Sequence, residues 1–298
     1  MENKNHTIFS FEVFPPKKAM GINTIYETLD QLRDLRPDFI SVTYGAGGSE
    51  NCENTLNIAQ RITDACGVTS VVHLPCLNMS RTDAASVLEQ FQSAGIENIL
   101  ALRGDKVAGR EPCGDFHHAS ELAEFIREFD SRRTDGRQFK IFGACYPERH
   151  PESATVFDDI HALKLKADAG VSHLLSQLFF DNEKFYRFLE RARLGGISIP
   201  IEAGIMPATN KNSIERMVSI TNATLPPKFI KMMERYGDSP ESIRDAGIAY
   251  AVDQIVDLVT NGVEGIHLYT MNNPYVARRI NDAVRSLFAA PPLAQEII

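Results

Sequence analysis

The sequence lacks tryptophan, long apolar runs and any excess of positive charge. Of its 298 residues, 31 are Lys or Arg and 39 are Asp or Glu, which gives a formal net charge of −8 with histidine neutral. Nucleic acids and anionic membranes bind basic surfaces, so neither is expected as a partner. No apolar run reaches the roughly 18 residues of a membrane-spanning helix. The first six residues also lack the charged and then apolar order of a secretion signal.

The cysteines are few, odd in number and widely spaced, and no two of them form a CxxC pair. The five are Cys52, Cys66, Cys76, Cys113 and Cys145. Such a pattern does not indicate a disulfide framework, so a cytoplasmic location is the default expectation.

Eight short runs rich in β-branched and aromatic residues recur along the chain, and several are apolar on both faces, as in a covered parallel sheet. They cover residues 9–14, 39–44, 69–76, 98–104, 140–147, 173–180, 200–207 and 265–271. Stretches with helical spacing separate them, as where Ile25, Leu29 and Leu32 fall at i, i+4 and i+7. This alternation predicts an α/β fold, the (β/α)8 TIM barrel.

The length of the chain allows one domain or two. Length divided by about 150 suggests two domains, but the eight units use the chain from Phe9 to about Phe288. We therefore predict a single domain over residues 1–298. The alternative, an open doubly wound sheet, usually carries a glycine fingerprint, and the nearest candidate has Glu50 in place of the last glycine.

Residues 225–238 form an excursion after strand seven, for which a lid and a surface turn both stay open.

The first strand carries one carboxylate among apolar residues. Alternation places Ser10, Glu12 and Phe14 on one face of this strand. Burial disfavours the ionised form, so we expect the pKa of Glu12 to rise toward neutrality, as a general acid requires. A structural Glu with a buried partner is the alternative.

The other strand ends are also polar, and in a barrel they meet at one mouth, where such enzymes place their chemistry. The helix after strand five adds two charged residues on one face, although a solvated helix face is the alternative for these. The candidates are Thr43, Tyr44, His73, Arg103, Gly104, Asp105, Tyr146, His150, Asp159, Lys166, Gln177 and Tyr269.

Several kinds of site lack their signatures. The sequence has no HExxH or HxH, so a metal site is not expected. It has no lysine at a strand end for a Schiff base, no GxSxG elbow and no Walker A loop. A polar mouth with tyrosines, one carboxylate and an Arg-Gly-Asp turn suits a large polar organic cofactor.

Five long motifs resemble those of the methylenetetrahydrofolate reductase family, in family order and over residues 9–288. They are Phe-Ser-Phe-Glu-Val-Phe-Pro-Pro-Lys, Ser-Val-Thr-Tyr-Gly-Ala, Leu-Arg-Gly-Asp, Tyr-Pro-Glu-Arg-His-Pro-Glu and His-Leu-Tyr-Thr-Met-Asn. The resemblance implies a bacterial-type enzyme consisting of the catalytic barrel alone, a homo-oligomer active in one-carbon metabolism and methionine synthesis. It further implies hydride transfer from NADH or NADPH through FAD to 5,10-methylenetetrahydrofolate, in a ping-pong cycle that yields 5-methyltetrahydrofolate.

The resemblance also assigns roles to residues. It makes Glu12 the general acid and places Asp105 near the flavin and the pterin. Substrate contacts are implied for Gln177, Tyr269 and Asn273. The implied FAD contacts are Thr43, Tyr44, Ala46, His73, Arg103, Gly104, Asp105, Tyr146, His150, Asp159 and Lys166.

Four positions depart from the family pattern. Asn273 stands where an Arg is common, Ser213 replaces a Gln, Met217 a stacking Phe and His118 a Tyr. The changes at 273, 213 and 217 motivate an alternative, a FAD-binding barrel subunit that needs a partner protein for electron delivery. A different flavin barrel reaction, such as imino acid oxidation, is a third possibility that the Leu-Arg-Gly-Asp and His-Pro-Glu motifs disfavour.

Overall fold

The computed structural model describes residues 6–16, 21–44, 49–106, 112, 114–221 and 223–289, with the side chains of 49–52 excepted. Eight parallel strands form a closed barrel in sequence order, β1 to β8. Their bounds are Ile8–Val13, Phe39–Val42, Thr69–Pro75, Asn98–Leu102, Lys140–Cys145, Val171–Ser176, Ile201–Ile205 and Gly265–Tyr269. The predicted TIM barrel is confirmed.

Ten helices among the described residues surround this sheet, and a π-helical turn, Arg61–Ala65, follows the second. They are α1 to α10: Ile22–Arg33, Ser49–Gln60, Arg81–Ser93, Ala119–Ser131, Val156–Asp168, Asn182–Leu194, Lys211–Thr221, Pro227–Tyr236, Pro240–Thr260 and Pro274–Phe288. Polar caps start several of them, as Ser239 does for α9 by accepting from the Ser242 amide. No helix in the described part of the chain is both long and apolar enough to cross a membrane.

The apolar core has parts on both sides of the strands. The larger part lies between the sheet and the helices and includes Phe11, Leu29 and Phe91. A smaller cluster fills the barrel itself, where Phe39, Val71, Leu100, Phe142 and Leu175 pack together. Because this inner filling is compact, the space for chemistry lies above it, at the carboxyl ends of the strands.

The excursion at residues 225–238 is a helix, α8, rather than a surface turn. Pro227 begins the helix at a position that tolerates its missing N–H. Phe229 and Met233, four residues apart, are buried in a cluster that also contains Leu178 and Met206. The i, i+4 spacing of the two apolar side chains is the signal that the turn interpretation overlooked.

Candidate active site

A cavity of about 260 Å³ lies at the carboxyl ends of β4 and β5, beside α5. Five of the predicted site residues line it together: Arg103, Tyr146, His150, Asp159 and Lys166. His118, one of the departures from the family pattern, lines it as well. The structure therefore brings these five positions together at one cavity.

Arg103 follows β4 and is held by two hydrogen bonds to one carboxylate. Its Nη1 and Nη2 donate to the two oxygens of Glu152 at 2.7 and 2.9 Å. Its Nε is buried without a hydrogen-bond partner among the described residues. Gly104 has φ +89°, and a Cβ there would lie 3.0 Å from Pro75 Cβ, so the turn that aims Arg103 requires glycine. Glu152 was not among the predicted site residues, although it is the Glu of the His-Pro-Glu motif.

Tyr146 and His150 form an aromatic wall after β5. Their rings meet edge to face with centroids 4.6 Å apart. Burial, and then the nearby Asp105 carboxylate, raises the pKa of Tyr146 to about 12. Burial lowers the pKa of His150, and the positive charges of Arg103 and Lys166 lower it further. Both rings are therefore neutral at physiological pH.

Helix α5 brings Asp159 and Lys166 to this wall. A capping box at its start, in which Thr155 accepts from the Asp158 amide, fixes the first turn of the helix. Asp159 accepts from the Ser153 hydroxyl at 3.0 Å. Lys166 is half-buried, and its Nζ donates to the Ala144 carbonyl at 2.8 Å. Burial lowers the pKa of Lys166, so its charge sits where an anionic ligand would relieve the desolvation.

Glu12 lies at the centre of the mouth between two histidines from other strands. Its Oε2 is 3.4 Å from His73 Nε2 on β3 and 3.6 Å from His267 Nε2 on β8. Burial raises the pKa of Glu12, but the interaction with His267 and the positive charge of both rings outweigh burial and lower the pKa below 4.5. The expected rise is thus wrong for the ligand-free chain, because two histidines that the strand pattern did not pair with Glu12 face it.

The turn after β8 holds the end of β1 in place. Thr270 donates its hydroxyl to the Glu12 carbonyl at 2.6 Å. The Asn272 side chain accepts from the Phe14 amide at 3.0 Å and donates to the Phe14 carbonyl at 2.8 Å. Asn272 adopts φ +53°, a conformation that asparagine tolerates better than most residues. These bonds tie the turn after β8 to the end of β1 and fix the Glu12 backbone.

Tyr269 crosses from β8 over β7 to β6. Its hydroxyl donates to the Ser176 carbonyl at 2.7 Å, and burial raises its pKa well above 10. A Cβ on Gly204 would lie 2.9 Å from the Tyr269 ring and 2.2 Å from the Ser176 carbonyl oxygen. The absence of a side chain at Gly204 therefore leaves the room in β7 that this crossing needs. Gln177 follows Ser176 directly, and its side-chain oxygen accepts from the Leu178 amide.

The remaining predicted residues differ in their hydrogen bonds and in how exposed they are. Thr43 follows β2 and donates its amide to the Val13 carbonyl, and Tyr44 is half-buried beside it. Asp105 is exposed at the mouth. Asn273 is exposed and caps α10 by accepting from the Val276 amide. Ala46 lies outside the described residues.

A buried polar network below Glu12 was also missed. Glu202 on β7 is fully buried and contacts His173 and Ser10, and Ser10 contacts His267. The alternation of side chains along a strand could have indicated this network. It places Ser10 on the same face of β1 as Glu12, and His267 on the same face of β8 as Tyr269. No three His, Cys, Asp or Glu side chains within the described ranges form a metal-binding group.

Comparisons with known proteins agree on one family. The profile of the family "Methylenetetrahydrofolate reductase" matches residues 1–285. A "5,10-methylenetetrahydrofolate reductase" of Pectobacterium carotovorum is 34% identical over 264 residues, covering 88% of this chain and 85% of that protein. The protein of the same name from Escherichia coli is 33% identical, with coverage of 88% and 86%.

Plant relatives are longer. A "Methylenetetrahydrofolate reductase (NADH) 1" of Arabidopsis thaliana is 35% identical over 90% of this chain, but the chain spans only 47% of that protein. Among solved structures, an uncharacterised Clostridium thermocellum protein that binds two copies of 5-methyl-5,6,7,8-tetrahydrofolic acid has a TM-score of 0.65 at 12% identity, with 97% and 98% coverage. That likeness concerns the fold alone. The profile and the bacterial relatives show that this chain belongs to the methylenetetrahydrofolate reductase family.

Proposed function

We propose that this chain is a FAD-dependent methylenetetrahydrofolate reductase that uses NADH to convert 5,10-methylenetetrahydrofolate into 5-methyltetrahydrofolate. The observation that carries the proposal is the position of Glu12, half-buried between two histidines beside a polar cavity, in a chain of this family. The relatives named as NADH enzymes favour NADH over NADPH. We also propose that residues 1–298 act as a single catalytic barrel, as a homo-oligomer.

The cavity residues fit the chemistry of FAD. The half-buried Lys166 ammonium and the Nε of Arg103, which has no hydrogen-bond partner among the described residues, are donors suited to a pyrophosphate. The neutral Tyr146 and His150 offer ring faces. His73 Nε2 is also buried without a hydrogen-bond partner in the described part of the chain, at the inner end of the mouth. Thr43, Tyr44, Ala46, Gly104, Asp105 and Asp159 complete the proposed set. When bound, FAD would accept hydride from NADH and pass it on to the folate.

Glu12 supplies the acid in this proposal. Opening the methylene bridge needs a proton on a bridge nitrogen, which leaves an iminium carbon as the hydride acceptor. In the ligand-free chain the neighbouring histidines keep Glu12 ionised at neutral pH, so its proton must come from one of them. A bound substrate that excludes water weakens the charge-separated state and favours the protonated carboxyl.

Other residues would orient the substrate. Asp105 stands at the mouth, where its carboxylate stabilises the positive iminium. Gln177 follows β6 and Tyr269 ends β8, on the same side of the barrel. The pterin and the nicotinamide would lie there in turn. Asn273 would contribute through its side-chain amide nitrogen, because its side-chain oxygen caps α10.

The first experiment concerns the cofactor. The purified chain, incubated with FAD and desalted, should show a flavin absorption spectrum and be bleached by NADH without any added protein. A chain that does not take up FAD contradicts the proposal. A chain that takes up FAD but is reduced only by dithionite instead favours the alternative of a subunit with an electron-delivery partner.

The second experiment separates the half-reactions. Glu12→Gln should leave flavin reduction by NADH within about twofold and slow reoxidation by methylenetetrahydrofolate by roughly 10²–10⁴-fold, the usual contribution of a general acid. Glu264→Gln is the matched control, because Glu264 bonds Arg193 and the Ile201 amide at the opposite end of the barrel. Equal losses in both half-reactions of Glu12→Gln would make Glu12 structural.

A further inference from the structure

Glu202 is a carboxylate with no solvent access, in the middle of the barrel. One oxygen lies 2.6 Å from His173 Nε2 on β6, and the other accepts from the Ser10 hydroxyl on β1 at 2.5 Å. Two such short contacts satisfy an ionised carboxylate, which can only accept hydrogen bonds. Neither partner belongs to the cavity that receives the proposed cofactor, so Glu202 has a different role.

The hydrogen bonds have a direction that leads to Glu12. Ser10 has one hydrogen, which it gives to Glu202, and its next acceptor, the Ile266 carbonyl, is distant at 3.5 Å. The 2.7 Å contact between Ser10 Oγ and His267 Nδ1 therefore requires a hydrogen on Nδ1. The opposite nitrogen, Nε2, then faces Glu12 at 3.6 Å and the Ser41 hydroxyl at 3.4 Å.

We propose that Glu202, acting through Ser10, is a positioning residue that keeps a hydrogen on His267 Nδ1 and thereby makes His267 Nε2 the atom that exchanges a proton with Glu12. The inference deepens the proposed function and rests on it. As the Glu12 O–H bond breaks and a substrate N–H bond forms, the Nε2–H bond breaks and the Glu12 O–H bond re-forms. His267 is left neutral, with its hydrogen on Nδ1. A small rotation of Glu12 closes the gap.

The other ionisable groups around the pair are few. His73 faces Glu12 from β3 at 3.4 Å, and Tyr269 lies beside Glu12 in the sheet and 5.4 Å from the His267 ring. His173 faces Glu202. His73 has no hydrogen-bond path to Glu202 among the described residues, so a substitution at Glu202 separates the two histidines as proton sources.

The sign of the pH effect follows from charge. A buried negative charge two hydrogen bonds away increases the proton affinity of the Glu12–His267 pair. Its removal makes the pair lose its proton at lower pH. The rate of flavin reoxidation by methylenetetrahydrofolate, which needs that proton, should then decline at lower pH.

The test uses Glu202→Gln, Ser10→Ala and, as a matched control, Ser70→Ala. Ser70 is a buried strand serine whose hydroxyl bonds Thr63 on the outside of the barrel. We expect Glu202→Gln to shift the alkaline limb of the reoxidation rate by about one pH unit downward. Ser10→Ala should slow reoxidation about tenfold. Neither should change flavin reduction by NADH, and Ser70→Ala should change neither rate. Glu202→Asp, which keeps the charge, should restore the limb.

A second readout does not depend on catalysis. In the ¹⁵N-histidine spectrum of the cofactor-free chain, recorded at a pH high enough to leave the His267 ring neutral, the His267 signal should show the Nδ1–H form and lose it in Ser10→Ala. An Nε2–H form in the unsubstituted chain, or an unmoved alkaline limb in a folded Glu202→Gln, overturns the proposal. If Glu202→Gln does not fold, the same spectrum of Ser10→Ala tests the proposal, which requires the loss of the Nδ1–H form in that variant. Failure of the proposed function is distinct, because it appears as no folate reduction in the unsubstituted chain.

Discussion

Individual carboxylates of the mouth are controlled by neighbouring cations rather than by burial alone. Glu12 is largely buried and yet has a lowered pKa, because His73 and His267 offset its desolvation. Glu152 is more exposed, and hydrogen bonds from Arg103 and Lys106 lower its pKa from 4.5 to about 2. Since the direction of each pKa depends on partners from other strands, burial by itself predicts it poorly.

The Arg103–Glu152 pair predicts how stability varies at acid pH. A carboxyl with a lowered pKa contributes stability that is present above its unfolded pKa, near 4.5, and is lost as pH falls toward 2. Glu152→Gln should therefore lower the free energy of unfolding at pH 6, by no more than about 1 kcal/mol because the carboxylate is 42% exposed. At pH 2.5 the difference should be much smaller. Urea midpoints at the two pH values measure it.

The control is Glu97→Gln. Glu97 meets Arg137 at 3.6 Å, with both side chains more than half exposed. Such a pair contributes little, so its removal should not change stability measurably at either pH. A Glu152→Gln penalty that is equal at pH 6 and pH 2.5 would show that the effect is not electrostatic.

At the scale of elements, α5 is the helix on which the proposed cofactor site depends most. Asp159 and Lys166 lie on it, and the Thr155 capping box begins it. Thr155→Ala should lower the free energy of unfolding by about 1 kcal/mol. Loosening of the first turn should also weaken FAD binding, by at most about tenfold, which corresponds to 1.4 kcal/mol. Urea unfolding and FAD titration measure the two effects.

Helix α3 offers a matched control. Ser80 forms the same capping box there with Asp83, and α3 carries none of the predicted site residues. Ser80→Ala should cost about the same stability and leave FAD affinity unchanged. If both variants weaken FAD binding equally, the loss reflects global stability and not the position of α5.

The start of α10 explains one departure from the family pattern. Asn273 caps this helix through its side-chain oxygen, which an Arg cannot do. Asn273→Arg should therefore destabilise the chain by about 1 kcal/mol, while a positive charge at the mouth favours an anionic folate tail. Asn273→Ser, which retains a cap, should keep the stability. Thermal unfolding of both variants decides, and an equally stable Asn273→Arg contradicts the capping role.

The sequence predicted all eight strands, but several predicted ends extend past the last paired residue. The run 173–180 continues beyond β6 because Phe179 and Phe180 are apolar for another reason. Phe179 stacks on Phe185 with centroids 4.8 Å apart, and Phe180 packs on Phe229 at 4.4 Å. Apolar runs record burial, and burial under a helix resembles burial in a strand.

Part of the candidate site could be predicted from the sequence and part could not. Residues at strand ends were predictable, because the topology of a barrel brings all strand ends to one mouth. The network of Glu202, Ser10 and His267 was not, because Ser10 and Glu202 are 192 positions apart. Alternation shows which side chains point inward, but the level at which two of them meet depends on the register of the closed sheet. The lowered pKa of Glu12 follows from that register.

For the molecule as a whole, net charge predicts the response to salt. The chain carries −8 and its proposed ligands are anions, so long-range repulsion opposes their approach. The few cations of the mouth are engaged locally, Arg103 with Glu152 and Lys166 within the cavity. Raising ionic strength from 10 to 150 mM shortens the screening length from about 30 to about 8 Å. The KM for methylenetetrahydrofolate should therefore fall, by about twofold to threefold.

The length of the folate tail provides the internal control for this effect. Each added glutamate adds negative charge far from the reacting carbons, so the salt effect should be larger for a triglutamate than for a monoglutamate substrate. Asn273→Arg, which adds a local cation, should reduce the difference between the two. Steady-state KM values for both substrates at the two ionic strengths make the comparison. A KM that rises with salt would mean that local cations at the mouth, and not the net charge of −8, dominate the approach of the substrate.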